Sequence, residues 1–202
     1  KEIFPPFEGR EEANLILGTD LLEHPEKAEG ANNIVIVGGG VVGCETAHWL
    51  ANEYGKNVTV LEMLPHFMMG VCTANRGHLL HYLEKSGVRL YNCTKVKALA
   101  KDGVYVEQNQ SQTVPDPYNT WQPLLPPNIP NPMEKAIKEE IVEKKIPADL
   151  IVLAMGGKAD ETFFFEAGEE HLAKEIYNIG DSSRAGRVLE AVRGAYHLAV
   201  RI

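Results

Sequence analysis

Three glycines and one glutamate have the types and the spacing of a site that binds a dinucleotide. The glycines form the pattern Gly38-x-Gly40-x-x-Gly43, and Glu62 follows 19 positions after the last of them. A glycine triplet alone is a weak signal, because ordinary turns are also rich in glycine. In a dinucleotide site each glycine has its own role. The first permits a tight turn, the second lets a pyrophosphate approach the backbone, and the third lets a helix pack close to a strand.

The elements predicted around this pattern are those that such a site requires. Residues 34–37 form a β-branched apolar run, which is typical of a strand buried on both faces. Residues 44–51 carry apolar positions at helical spacing, and Gly55 is placed to end that helix. A second apolar strand, 58–61, ends at Glu62. Strand, glycine turn, helix and strand predict a βαβ unit of about 30 residues.

The predicted unit also indicates which nucleotide binds. The free amides at the start of the helix, including those of Val41 and Val42, and the positive end of the helix dipole favour phosphate groups. Glu62 is expected to accept hydrogen bonds from both ribose hydroxyls of an adenosine, whereas it would repel a 2′-phosphate. No arginine follows in residues 63–66, so NAD is favoured over NADP. The alternative is a glycine turn that tightens the corner and binds no ligand.

The whole pattern predicts the α/β class: a Rossmann-like three-layer dinucleotide-binding domain with a parallel central sheet and an added β-meander. Residues 133–145 fit either a helix or a meander strand. The other predictions are an extended start with a polar turn at 18–20, a helix at 73–85, a strand at 88–91, a hairpin of 96–99 with 104–106, an irregular Pro-rich stretch at 107–132, a buried strand at 148–155, a strand at 175–179 and a helix at 187–202.

Composition and charge exclude several classes of protein. The 202 residues are 44% hydrophobic and 24% charged, which is enough to close a core. A net charge of −8 argues against nucleic acid as a partner. No apolar run approaches the roughly 20 residues of a membrane span, and no signal segment is visible, so no membrane partner is expected. Three scattered cysteines, Cys44, Cys72 and Cys93, fit no disulfide or metal spacing and favour the cytoplasm.

Two later stretches, together with the glycine pattern, resemble a known family. Residues 149–157 have the sequence Asp-Leu-Ile-Val-Leu-Ala-Met-Gly-Gly, and residues 177–181 have Tyr-Asn-Ile-Gly-Asp. The chain resembles the C-terminal portion of multidomain NADH:flavin oxidoreductases of the old yellow enzyme class, which includes 2-enoate reductase, 2,4-dienoyl-CoA reductase and trimethylamine dehydrogenase. The resemblance is specific over 31–106 and 148–202 and vague over the residues between.

The resemblance implies roles for individual residues. The glycine pattern would bind NADH, Glu45 would approach the nicotinamide end, Gly156 and Gly157 would border the nicotinamide, and Asp181 would bind the FAD ribityl chain. It implies no catalytic residue and no metal ligand in this chain.

The resemblance also implies the organisation of the protein. Residues 1–30 would be a lead-in, 31–157 an NAD(H)-binding domain, and 158–202 the return segment of a flavin (FAD/ADP) domain whose first fingerprint is missing here. The chain starts at Lys1 and stops at Ile202 after an apolar pattern, so a fragment of a larger polypeptide is expected, with the flavin and barrel domains as its partners.

The activity implied is that of an NADH:flavin oxidoreductase. NADH reduces FAD, electrons pass through an iron–sulfur cluster to FMN, and the parent enzyme reduces an activated alkene or a similar small substrate. The isolated chain is expected to be inactive. Two other functions stay open: a nucleotide (ADP) module without a redox role, and, with less support, an adenosine-cofactor methyltransferase.

Several other features have two interpretations each. The pairs His78/His81 and Cys44/His48 each offer two metal ligands, but packing or surface positions are favoured. Glu45 could also be a first-turn acid stabilised by the helix dipole. Residues 163–165, three phenylalanines, could form a docking patch, although core packing is the preferred interpretation.

Overall fold

The computed structural model describes residues 2–121, 123, 125 and 128–202. The chain divides into two compact units, one formed by residues 4–155 and the other by the residues up to Ile3 together with those from Gly156 onward. The strands are β1 (Leu15–Leu17), β2 (Asn33–Val37), β3 (Asn57–Leu61), β4 (Arg89–Tyr91), β5 (Thr94–Ala100), β6 (Gly103–Asn109), β7 (Ile141–Pro147) and β8 (Leu150–Leu153). The helices are α1 (Gly18–Glu23), α2 (Val41–Tyr54), α3 (Thr73–Lys85), α4 (Thr162–Glu169) and α5 (Val188–Ala199), with 3₁₀ turns at Pro25–Ala28 and Gly180–Ser182.

The first unit has three layers around a parallel sheet in the order β1-β8-β2-β3-β4. Alternate residues of β2 point to opposite faces. Ile34 and Ile36 pack with Ala47 and Leu50 of α2 in one core, whereas Val35 and Val37 lie in a second core with residues of β6 and β7. Because both faces are covered, β2 is apolar throughout. The predicted α/β fold with a parallel central sheet is confirmed.

The added meander is the antiparallel sheet β5-β6-β7. It resolves the ambiguity at 133–145 in favour of a strand, because β7 pairs with β6 along its whole length and buries Ile146 against the second core. Residues 134–140 have no regular structure. The predicted βαβ unit, the helix at 73–85, the third strand and the hairpin are also confirmed, and Gly55 ends α2 in the left-handed conformation.

The lead-in differs from the prediction. The expected polar turn at 18–20 is wrong, because Gly18 starts α1, and the preceding residues form β1, which pairs in parallel with β8. Gly18 is buried at this junction, where a Cβ would lie 3.3 Å from the Leu153 carbonyl oxygen. The partner strand lies more than a hundred residues later, so no local pattern indicates this pairing.

One further predicted strand does not form, and the bounds of two predicted segments differ from those observed. The strand predicted at 175–179 is wrong, since no strand forms in the described residues of the second unit and a strand needs a partner. The buried strand predicted at 148–155 is the shorter β8, and the irregular stretch predicted from 107 starts only after Asn109. The part of that stretch at 122, 124, 126 and 127 lies outside the described residues. Among the helices that are described, none has the length and apolarity needed to cross a bilayer.

Candidate nucleotide-binding site

The first glycine of the pattern forms the tight turn between β2 and α2. Gly38 has φ +114°, a left-handed conformation that side chains rarely adopt. Its N–H donates to the Leu61 carbonyl oxygen at 2.9 Å. A Cβ at this position would come within 3.0 Å of the Ala154 carbonyl group. Both the backbone and the available space therefore require glycine here.

The third glycine allows α2 to pack on the turn. A Cβ on Gly43 would clash with the carbonyl oxygen of Gly38 and would lie 3.3 Å from the Cβ of Ala154. Gly43 itself is buried. The close helix–strand approach expected from the sequence is thus present.

The second glycine has no structural explanation among the described residues. Gly40 has φ −71° and ψ −175°, which any residue can adopt. Apart from Gly40 and its two chain neighbours, no described residue has an atom within 4 Å of the position that its Cβ would occupy. The space in front of Gly40 is open, as the approach of a pyrophosphate requires.

The N-terminus of α2 starts at this open space. Gly40 is the N-cap residue and provides no side chain to accept a hydrogen bond from the first amides, those of Val41 and Val42. Val42 is 46% exposed. Uncapped amides and the dipole of a 14-residue helix together favour an anion. Glu45 is exposed and is the fifth residue of α2, so the interpretation as a first-turn acid is wrong.

Glu62 contacts the glycine turn directly. One carboxylate oxygen accepts a hydrogen bond from the Gly39 N–H at 2.8 Å, and the other accepts from the Leu64 N–H at 2.8 Å. Each oxygen keeps acceptor capacity, so these bonds are compatible with ribose hydroxyls as further donors. The sequence indicated the ribose role but not this link between the strand-end acid and the turn.

Gly39 is also constrained by its neighbours, although sequence reasoning did not single it out. Its carbonyl oxygen accepts hydrogen bonds from the Met68 N–H at 2.8 Å and the Cys44 thiol at 3.6 Å. A Cβ on Gly39 would come within 3.0 Å of the Phe67 ring, which is fully buried. Residues of the segment after β3 therefore fix the backbone of the turn at Gly39.

Arg76 supports this segment from α3. Its side chain donates from Nε to the Phe67 carbonyl oxygen and from Nη1 to the Asn119 carbonyl oxygen, both at 2.9 Å. Arg76 is 3% exposed, and burial lowers the pKa of its guanidinium. The sequence carries a signal for this burial, because Arg76 lies at helical spacing from Leu80 and Leu83, on the buried face of α3.

The chain between β6 and β7 is tied to the same region. The Tyr118 hydroxyl donates to the Val88 carbonyl oxygen at 2.6 Å and accepts from the Leu90 N–H at 3.2 Å. Asn92 Nδ2 donates to the carbonyl oxygens of Pro65 and Pro115 at 2.7 and 2.8 Å. A Tyr side chain thus satisfies backbone groups on the outer edge of β4 and prevents a further strand from pairing there.

The remaining predicted site residues lie in the second unit. The Gly156 carbonyl oxygen accepts from the Ile3 N–H at 3.0 Å, and Gly157 forms an isolated bridge with Glu2. Asp181 is exposed, and its Oδ1 accepts from the Gly186 N–H at 3.1 Å. The structure brings the glycine turn and Glu62 together within the first unit. The roles of Gly156, Gly157 and Asp181 stay predictions.

The histidines of α2 and α3 surround an aromatic ring. His48, His78 and His81 lie with their ring centroids 5.8, 4.7 and 5.6 Å from that of Tyr82. No group of three or more potential His, Cys, Asp or Glu ligands is arranged to hold a metal in the part of the chain that is described.

Cys44 provides a pH-dependent prediction. Burial, together with the nearby Glu62 carboxylate, raises the pKa of its thiol to about 12, whereas Cys72 is exposed. At pH 9 an ordinary exposed thiol is largely ionised and reactive. We expect iodoacetamide at this pH to modify Cys72 in the native protein and Cys44 only after denaturant is added, as peptide mass spectrometry would show. Equal native labelling of both cysteines would contradict the buried placement.

The second unit exposes much apolar surface. Phe163 and Phe165 are 73% and 60% exposed, so the preferred interpretation of core packing is wrong for them. None of the residues of α5 is buried, and four of its large apolar residues are exposed: Val188, Leu189, Val192 and Tyr196.

The layers, the sheet order and the glycine turn define the class of Rossmann-like dinucleotide-binding domains. The sequence profile described as pyridine nucleotide-disulphide oxidoreductase matches residues 2–192. The chain belongs to that family, which is a family of oxidoreductases whose cofactors are NAD(P)H and FAD.

Similar proteins include several reductases. Bilirubin reductase of Mediterraneibacter gnavus is 27% identical over 195 residues, which cover 96% of this chain and 25% of that protein. NADH oxidase of Thermoanaerobacter brockii is 25% identical over 202 residues, covering 99% and 26%. The solved structure of a 2-naphthoyl-CoA reductase complex has a TM-score of 0.75 and 25% identity, covering 100% of this chain and 26% of the other. The chain thus spans about a quarter of the length of these relatives.

Proposed function

We propose that this chain binds NADH at the turn Gly38–Gly43 and that the protein to which it belongs passes hydride from NADH to a flavin. The observation that carries the proposal is the open space at Gly40, directly in front of the uncapped N-terminus of α2. At the other glycines of the turn a Cβ would meet atoms of the protein, whereas at Gly40 the space is open, which supports the approach of a ligand there.

Different residues of the first unit are proposed to bind different parts of NADH. The amides of Val41 and Val42 donate to the pyrophosphate, and the absence of a side chain at Gly40 lets it approach. Glu62 accepts from the ribose hydroxyls while it holds Gly39 in place. Its negative charge disfavours a 2′-phosphate, which is why we propose a preference for NADH over NADPH. Glu45, Gly156 and Gly157 are proposed to lie toward the nicotinamide.

The other cofactors are proposed for the protein as a whole. Asp181 alone does not build an FAD site, since its carboxylate is exposed and bonded to Gly186. The three cysteines are separated in sequence, and Cys44 is buried beneath the glycine turn, so they do not fit an iron–sulfur cluster. We therefore assign FMN, the cluster and most of the FAD contacts to other parts of an old yellow enzyme-type reductase. Its substrate would be an activated alkene or a similar small molecule.

We propose domain boundaries that agree with this assignment of function. Residues 1–30 lead into an NAD(H)-binding domain at 31–157, although β1 of the lead-in pairs with the central sheet. Residues 158–202 are proposed to return to a flavin domain. The exposed phenylalanines of α4 and the uncovered apolar side of α5 support this assignment. The proposed partner is the remainder of the polypeptide, and the proposed location is the cytoplasm.

A thermal melt with separate additions of NADH, NADPH, ADP and FAD tests the proposal. A ligand at about 100 times its dissociation constant adds roughly 2.7 kcal/mol of stability, and hence several degrees. We expect NADH to raise the melting temperature more than NADPH or ADP does. Equal shifts with ADP and NADH would instead favour the nucleotide-holding module without a redox role, and no shift with any of the four would refute binding by this chain.

Replacing Glu62 by alanine should weaken NADH binding about tenfold more than NADPH binding. The variant loses the ribose acceptor, which matters for NADH alone, and it also loses the Gly39 contact, which affects both nucleotides. Isothermal titration with each nucleotide measures the two affinities. Glu53→Ala, at an exposed position of α2, is the control and should change neither. An unchanged NADH-to-NADPH ratio in the Glu62 variant would discard the ribose assignment.

A further inference from the structure

We propose that Arg76 is a positioning residue for the nucleotide-binding turn. The inference rests on the proposed function, because it concerns the same site. Among the described residues, Arg76 forms its hydrogen bonds with Phe67 and Asn119 and with no glycine of the turn. It acts through Phe67, whose ring packs under Gly39 and whose carbonyl oxygen receives the Arg76 Nε–H.

The contacts form a continuous path from α3 to the turn. Arg76 holds the Phe67 carbonyl, and the next residue, Met68, donates its N–H to the Gly39 carbonyl oxygen at 2.8 Å. On the other side, Glu62 accepts from the Gly39 N–H at 2.8 Å. Both backbone polar groups of Gly39 are therefore fixed by the segment that Arg76 anchors. The orientation of the Gly39 peptide sets where the open space in front of Gly40 lies.

The backbone at Met68 needs such an anchor. Met68 has φ +51°, a left-handed conformation that is strained for a non-glycine residue. Its side chain is 2% exposed. A strained residue persists only where its neighbours hold it, and here the neighbours are the Arg76-bound Phe67 and the turn itself.

The position of the charge also argues for a specific role. Arg76 lies on the buried, leucine-bearing face of α3, where a methionine of similar length would pack without the cost of desolvating a cation. Among the described residues no carboxylate forms a salt bridge with it, and its Nε and Nη1 donate to carbonyl oxygens of loops outside α3. The guanidinium thus joins the segment after β3 to the chain at Asn119. An uncharged apolar side chain could not make this connection.

The test compares Arg76→Met and Arg76→Lys with the wild type. Arg76→Met keeps an apolar side chain of similar length but loses both hydrogen bonds. Arg76→Lys keeps the positive charge and has a single nitrogen that can donate. Arg89→Met is the control, because Arg89 also donates from Nε, to Thr59 Oγ1 at 3.0 Å, and this bond joins β4 to β3 rather than to the turn or to the segment after β3. Each protein is titrated with ADP well below its melting temperature, and the exchange of the Gly39 and Met68 amides is followed by NMR.

We expect ADP affinity to fall about tenfold in Arg76→Met and less in Arg76→Lys, with faster exchange of both amides and no change of either property in Arg89→Met. If Arg76→Met does not fold, Arg76→Lys decides by the same two measurements. Wild-type affinity and wild-type exchange in a folded Arg76 variant would overturn the inference, even if its melting temperature fell, and would leave the proposed function standing. Failure of the wild type to bind ADP and NADH would overturn both.

Discussion

Replacing Gly40 by valine should weaken NADH binding about 100-fold or more while lowering the stability of the protein by no more than about 1 kcal/mol, because valine is a poorer N-cap residue than glycine. The backbone at Gly40 is extended, which suits a β-branched residue, and no described residue beyond its two chain neighbours has an atom within 4 Å of the added Cβ. The new side chain would instead fill the space through which the pyrophosphate approaches. Isothermal titration with NADH and a thermal melt without ligand measure the two properties separately.

Gly30→Val is the matched control for this variant. Gly30 is also exposed and free of neighbours within 4 Å of a Cβ, but it lies before β2 and outside the turn. It should bind NADH as the wild type does. Undiminished binding by Gly40→Val would refute the pyrophosphate assignment. A large loss of stability would mean that Gly40 has a structural role in the turn.

Replacing Gly43 by alanine should have the opposite effect and destabilise the protein by about 2 kcal/mol. The added methyl group would meet the Gly38 carbonyl oxygen well inside contact distance and would press on the Ala154 Cβ. Overpacking of this kind destabilises a protein by about 1–3 kcal/mol or more. The higher helix propensity of alanine offsets less than about 1 kcal/mol of that loss. For a chain of this length the melting temperature should fall by roughly 4–8 °C.

Gly194→Ala is the control for the helix-propensity contribution. Gly194 also lies within a helix, α5, but a Cβ there would have no neighbour within 4 Å. That variant should be neutral or slightly stabilised. A Gly43→Ala protein as stable as wild type would show that α2 can move away from the turn. The close helix–strand packing would then not be a constraint on the site.

The sequence predicted those parts of the fold that depend on local patterns. The apolar run of β2, the glycines after it, the helix that ends at Gly55 and the strand before Glu62 all lie within about 30 residues, and each carries its own signal. The hairpin of β5 and β6 was predicted for the same reason, since its short polar turn is local.

Features set by distant parts of the chain were missed. The pairing of β1 with β8 joins segments more than a hundred residues apart, and the strand expected at 175–179 has no partner. The constraint on Gly39 arises only when the segment after β3 folds back under the turn. The spacing of Arg76 from Leu80 and Leu83 could indicate that it is buried, but not what it binds, because its partners are the carbonyl oxygens of Phe67 and Asn119 in distant loops.

The central claim is that the start of α2 receives the pyrophosphate of NADH, and an NMR titration of the ¹⁵N-labelled chain tests it most directly. We expect the amide resonances of Gly40, Val41 and Val42 to shift progressively and to saturate as NADH is added, and ADP to move the same three. If NADH binds while these resonances stay in place and others move, such as those around the cleft of about 450 Å³ beside His66 and Trp121, the claim is wrong.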